Sequence, residues 1–318
     1  MRTWRGRASG VGLAVAMWLG AGSGSAAIDE PTAATLEYVS EEASVVAYAN
    51  VRALMASPLR ARLRELSAAH PAIGVLEEWS GASLERDVDD IVFAGEDAAG
   101  DGRLLLILAG RFDSRRPAAY ARDHGGRIEA HDGTQIVLAP RPSGEVAMAL
   151  PASGQMLVGD AASVRRALDT KAGAARAISD SAGFMSVVAG LEPSAAWSVT
   201  AFQTFATRSA LPAEVAAQLP PIDWLAVSGQ FMPAARGQLR AAARDERAAQ
   251  NLREVMRGFV ALARMQGARN RELRGALDTV TLGGEGAIVS LSFDLTPGVL
   301  SLIDAQGVWR LAMPWLGP

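Results

Sequence analysis

The 318-residue chain has no cysteine. No disulfide can staple it, no cysteine-borne lipid can anchor it, and neither thiolate catalysis nor cysteine-ligated metal is open to it. Lysine is nearly absent too. Lys171 is the one lysine among 31 basic residues, so the abundance of arginine reads as coding bias and carries little weight for phosphate binding. Histidine occurs three times, at His70, His124 and His131, never paired at ligand spacing along a helix. A zinc site needs three or four converging ligands, which no local segment supplies. Long apolar runs are missing as well. Val11–Leu19 and Leu104–Leu108 both fall short of the about 20 residues that span a bilayer.

Catalytic signatures are equally scarce. There is no P-loop, no G-x-G-x-x-G between strand and helix, no G-x-S-x-G elbow and no S-x-x-K. The acidic run Glu85, Asp87, Asp89, Asp90 lacks the glycine and distal glutamate of a calcium loop, and it reads as a solvated turn ahead of a strand. Neighbouring carboxylates such as Glu41-Glu42 and Glu77-Glu78 diverge on a helix and face opposite ways on a strand. His131-Asp132-Gly133 is explained by an Asp-Gly turn. No catalytic, cofactor-binding or metal residue is therefore assigned, and no cofactor is expected.

Two features are strongly present. The first is an export signal in residues 1–27: Arg2, Arg5 and Arg7, the apolar core Val11–Leu19, then small residues with Ser25 and Ala27 at the −3 and −1 positions of a cleavage site. Cleavage would leave 28 basic and 34 acidic residues, a net charge of −6, with no membrane span. Such an acidic chain is a poor binder of nucleic acid and of anionic lipid.

The second is a strand–turn–strand–helix stretch from Trp224 to Gln266. Its helix, Asp245–Gln266, carries Leu252, Val255, Met256, Phe259, Val260 and Ala263 at helical spacing, which predicts a core-facing stripe. Asp245 suits the N-cap, and Gly267 suits the stop. A weaker copy runs from Ile91 to His124, and the joints RFDSRRPAAYARDHG and AARDERAAQNLREVMRG align by role.

The chain then reads as an α+β protein of two repeated β-α-β-β-α-β halves, ferredoxin-like in order, with antiparallel sheets covered by helices. Residues 28–172 form the first half, opening on a polar lead-in over 28–42. Residues 173–306 form the second, and 307–318 an apolar C-terminal tail with Trp309, Met313, Trp315 and Leu316. Ser57-Pro58 predicts a helix start, Pro212 a helix break, and Thr296-Pro297 a last helix. The tail must be covered, by its own domain or by a partner.

The stretches SVVAYANVRALMASPLRARL, LERDVDDIVFAG and RDERAAQNLREVMRGFVALARMQ resemble a group of exported bacterial proteins described as domains of unknown function. The resemblance spans about Tyr38 to Ile303 and implies export and the duplicated α+β build. It implies no catalytic residue, cofactor or substrate. Three functions are compatible with the sequence. The first is a non-enzymatic periplasmic or secreted interaction protein with a partner in the cell envelope. The second is a hydrolase-type enzyme whose site gathers residues such as Asp113, Arg115, Arg116 and His131. The third is a carrier of an apolar ligand between sheet and helices.

Overall fold

Ser44–Asn50 and Ala196–Ala201 are short, β-rich and apolar enough to be buried on both faces. They become neighbours. The computed structural model describes residues 30–57, 60, 64, 71–96, 103–141, 144–152, 154–191, 194–208, 219–230, 236–267 and 271–294. The export signal, the start of the helix after Pro58, the Pro212 break, the Thr296-Pro297 helix and the 307–318 tail lie outside those residues.

In chain order the strands are β1 (Val45–Asn50), β2 (Val88–Gly95), β3 (Leu104–Gly110), β4 (Arg127–His131), β5 (Thr134–Arg141), β6 (Gly144–Ala149), β7 (Gln155–Gly159), β8 (Ala196–Ala201), β9 (Ile222–Gln230), β10 (Arg236–Ala243), β11 (Thr281–Gly283) and β12 (Ile288–Asp294). The helices are α1 (Glu30–Leu36), α2 (Val51–Ala56), α3 (Pro71–Ser80), α4 (Leu84–Asp87), α5 (Arg116–Asp123), α6 (Ala161–Lys171), α7 (Ala182–Ala189), α8 (Phe202–Arg208), α9 (Glu246–Gly267) and α10 (Arg271–Asp278).

All twelve strands form one sheet, ordered β11-β12-β10-β9-β8-β1-β2-β3-β7-β6-β5-β4. Every ladder is antiparallel, as in β1 with β2 and β8 with β9. A seam within the sheet is the β1–β8 ladder, where Tyr48 pairs with Trp197 and Val46 with Val199. The protein is thus α+β on a single continuous antiparallel sheet. The ferredoxin-like expectation required the first strand of each unit to lie beside the third. Instead β2 separates β1 from β3, and β9 separates β8 from β10. The helix after each first strand does not carry the chain across the sheet, so the strands simply succeed one another.

Alternation along each strand supplies two cores. On β5, Ile136 and Leu138 face α6 and join the larger core with Val164, Ala167 and Leu168. Val137 and Ala139 face the other way, with Ala118 and Ala121 of α5 and Trp79 of α3. The larger core crosses the seam: Tyr48, Val92 and Leu105 share it with Trp197, Val199 and Ala226, and Phe184 of α7 packs into it. A third cluster lies under α8 and α9, where Ala248, Ala249 and Leu252 meet Phe202, Ile222, Ala241 and Val289.

The structure corrects two local readings. The lead-in expected to be polar is core, since Leu36, Tyr38 and Val39 are buried and α1 docks on the sheet. Ser57 closes α2, where its hydroxyl donates to Leu54 O. The acidic turn is partly strand: Asp89 and Asp90 belong to β2, Tyr48 Oη donates to Asp90 at 2.6 Å, and Arg52 pairs with Asp89. The His131-Asp132-Gly133 hairpin forms as predicted, with Asp132 and Gly133 at φ 44° and 80°, as a type I′ turn requires. At Gly110 a side chain is forbidden, because a Cβ would sit 2.0 Å from the Asp87 carbonyl oxygen beside the β2–β3 bulge.

Candidate functional site

Three places gather chemistry or unpartnered surface. The first is the β4–β5 hairpin tip. The turn projects His131 to the last turn of α6, where its Nε2 lies 2.6 Å from Asp169 Oδ1. Asp132 joins them, and the ligand-type atoms of the three residues all lie within 4.8 Å of one another. One imidazole and two carboxylates are donors that could hold a divalent cation. Local spacing could not reveal this trio, because Asp169 stands 38 residues from His131 and only the packing of α6 on the sheet brings it in. The residues proposed to gather with His131 do not. Asp113 accepts from the Arg115 amide at 3.0 Å, and with Arg115 and Arg116 it lies exposed at the start of α5. That helix covers the sheet face opposite α6. His124 is also apart, stacked on Tyr120 at 3.8 Å between ring centroids.

The second place is a cleft under α1 and α6, lined by Tyr38, Ser40, Glu96, Arg103, Ser163 and Arg166. Burial raises the Glu96 carboxyl above the ordinary carboxylate range. Arg166 and Arg103 oppose that rise, while Glu42 and Asp160 reinforce it. The arginines stand 3.7 and 3.8 Å away, too far for tight hydrogen bonds. Burial likewise raises Tyr38, whose hydroxyl donates to Gln155 Oε1 at 2.9 Å.

The sign for Glu96 follows directly. A carboxyl raised in the folded state favours folding below the unfolded carboxyl range, about pH 4, and that contribution is lost as pH rises through the raised value. Glu96→Gln keeps the shape and removes the charge. Its melting temperature is expected to match the parent near pH 4 and to exceed it at pH 7. Thermal denaturation across that range checks this, and a parent more stable at pH 7 would refute it.

The third place is the outer end of α9. Asp245 caps this helix, accepting from the Ala248 amide at 2.7 Å. Its first half is fastened: Ala249 and Leu252 are buried, and the Arg253 guanidinium donates to the carbonyls of Gly284, Gly286 and Ile288. The second half of the helix carries large apolar side chains in solvent. Leu252 is 3% exposed, whereas Phe259, two turns on, is 48% exposed, Leu262 49% and Met265 75%. Ile128 is the other large exposed apolar side chain among the described residues. Of the stripe expected to face the core, Leu252 is buried, Val255, Met256, Val260 and Ala263 are half-buried, and Phe259 stands open. Helical periodicity records that a face is apolar, not what lies against it.

No helix among the described residues is long and apolar enough to cross a membrane. No protein-family model and no curated protein matches the chain. Among solved structures it is similar to crystal form III of TP0453, with a TM-score of 0.52 and 11% identity over 86% of this chain and 98% of that one. Crystal form I of TP0453 gives a TM-score of 0.49 with 9% identity over 86% and 96%. At such identities the likeness concerns the fold alone.

Proposed function

We propose that the protein is an exported, non-enzymatic interaction protein of the cell envelope, and that it holds a protein partner on the outer end of α9. The observation that carries this reading is the presence of three large exposed apolar side chains, Phe259, Leu262 and Met265, within two turns near the end of one helix. Contiguous apolar surface of this kind marks docking sites on soluble proteins. Export is supported by the pattern of residues 1–27. Periplasmic and secreted destinations both fit that pattern, and the resemblance to domains of unknown function agrees with it.

We also read residues 28–172 and 173–306 as two copies of one unit. In support, β1-β2-β3 and β8-β9-β10 run outward from the seam in the same succession, each set with a helix after its first and third strands.

The test is a photo-crosslinking amino acid placed at Leu262 in the native host, with Arg257, exposed on another side of α9, as control. A discrete cross-linked species of fixed mass is expected at Leu262 and not at Arg257, and it should be lost on adding Phe259→Glu. A smear, or equal yield at both positions, would sink the proposal.

A further inference from the structure

The contact between β4 and α6 is made in two steps, and the steps differ in charge. Glu129 and His131 lie two apart on β4 and share one face of the sheet. Arg165 and Asp169 lie four apart on α6 and share one face of the helix. Glu129 pairs with Arg165, and His131 with Asp169. The first step is neutralised, because Arg165 and Arg127 both reach Glu129.

The second step has no such cation. His131 Nε2 stands 2.6 Å from Asp169 Oδ1, and Asp132 brings a second carboxylate. Among the described residues no arginine or lysine pairs with Asp132 or Asp169. Lys171, two residues on from Asp169, is turned to Glu37 and to the ring of Tyr38. Asp169 also sits in the last turn of α6, where the carbonyl end of the helix is negative and favours a cation. Two carboxylates and a helix C-terminus thus share one imidazole, with no fixed positive charge among them.

The donor atoms of the trio all lie within 4.8 Å of one another. Ligands at about 2.0–2.2 Å from one tetrahedral ion stand about 3.4 Å apart. Small side-chain rotations close the difference.

We propose that His131, Asp132 and Asp169 bind a first-row divalent transition ion of the zinc type. The nitrogen donor selects against calcium and magnesium, which take oxygen ligands. Three protein ligands leave one position open for water or an incoming donor. His131 binds through Nε2, gives up its hydrogen bond with Asp169, and carries its proton on Nδ1. The ion ties the turn after β4, the outermost strand of the sheet, to a helix residue 38 positions on. In a chain without cysteine this is a cross-link that no disulfide supplies. The site stands at the β4 end of the sheet and does not depend on the docking surface of α9.

The test uses the full chain, stripped with EDTA, then titrated with Zn²⁺ by calorimetry and with Co²⁺ by visible absorption. Saturable binding of one ion per chain is expected, with a Co²⁺ d–d band. Loss of an outer-shell partner already weakens metal binding about 10–100-fold, so His131→Gln and Asp169→Asn are each expected to raise Kd at least tenfold. Asp132→Asn should do the same. Asparagine accepts the positive φ of Asp132, so this variant keeps its turn and guards against one that fails to fold. His124→Ala, which removes the exposed histidine at the end of α5, is expected to bind as the parent does. Zn²⁺ should also slow amide exchange over residues 129–135 in the parent and not in Asp169→Asn.

No saturable binding by the parent overturns the site. So does a Kd left unchanged by His131→Gln and Asp169→Asn, or binding lost only in His124→Ala, since either places the ion elsewhere. Ca²⁺ bound as tightly as Zn²⁺ overturns the assignment of the ion.

Discussion

Phe184→Ala is expected to lower the stability of the whole chain by about 3–5 kcal/mol, in one transition. Phe184 is fully buried in the larger core, beside residues of both β1 and β8. Its ring lies edge-on to Trp197 and Trp224, with centroids 6.4 and 5.8 Å away. Trp197 in turn stacks on Tyr48 at 5.8 Å across the β1–β8 seam. Removing the ring deletes buried apolar area and leaves a cavity walled by two tryptophans, which stiff aromatic neighbours cannot collapse to fill. The seam itself is a full ladder, so neither half can lose its part of the larger core without exposing the other's. Calorimetry of parent and variant checks this. Two transitions, of which only one moves, would show that the halves unfold separately.

Leu252→Ala is expected to cost about 2–5 kcal/mol and to loosen α9 from its fastened end. Leu252 packs with Phe202, Ile222, Ala241 and Val289, a cluster already rich in alanine and so poor in reserve contacts. Hydrogen exchange reads the effect where it arises. Amides around Ala249–Met256 should lose protection, and the partner cross-link at Leu262 should weaken with them, because the docking residues ride on the same helix. Unchanged protection around Leu252 would mean that α9 is fixed elsewhere.

How much of this was legible in advance depends on the range of the physics involved. Caps and turns are local. Asp245 caps its helix as the sequence indicates, and Asp132-Gly133 turns its hairpin. Each such choice is settled within a few residues by hydrogen bonds the side chain or backbone makes to its own neighbourhood. Strand alternation was equally visible, which is why the α+β class and nearly every strand followed from the chain alone.

Three things did not follow. Element order is shared by several topologies, so β-α-β-β-α-β could not distinguish an interleaved sheet from the successive antiparallel one that formed. The trio His131, Asp132 and Asp169 required α6 to settle on the β5 face, a contact between residues far apart in the chain. The stripe on α9 has one periodicity from Leu252 to Ala263, yet Leu252 is buried and Phe259, two turns on, is 48% exposed. The sequence by itself determined local conformation and which residues avoid water, because both are properties of short segments. Only the tertiary structure decided which apolar residues found cover, because burial depends on where distant elements end, and α9 extends beyond them.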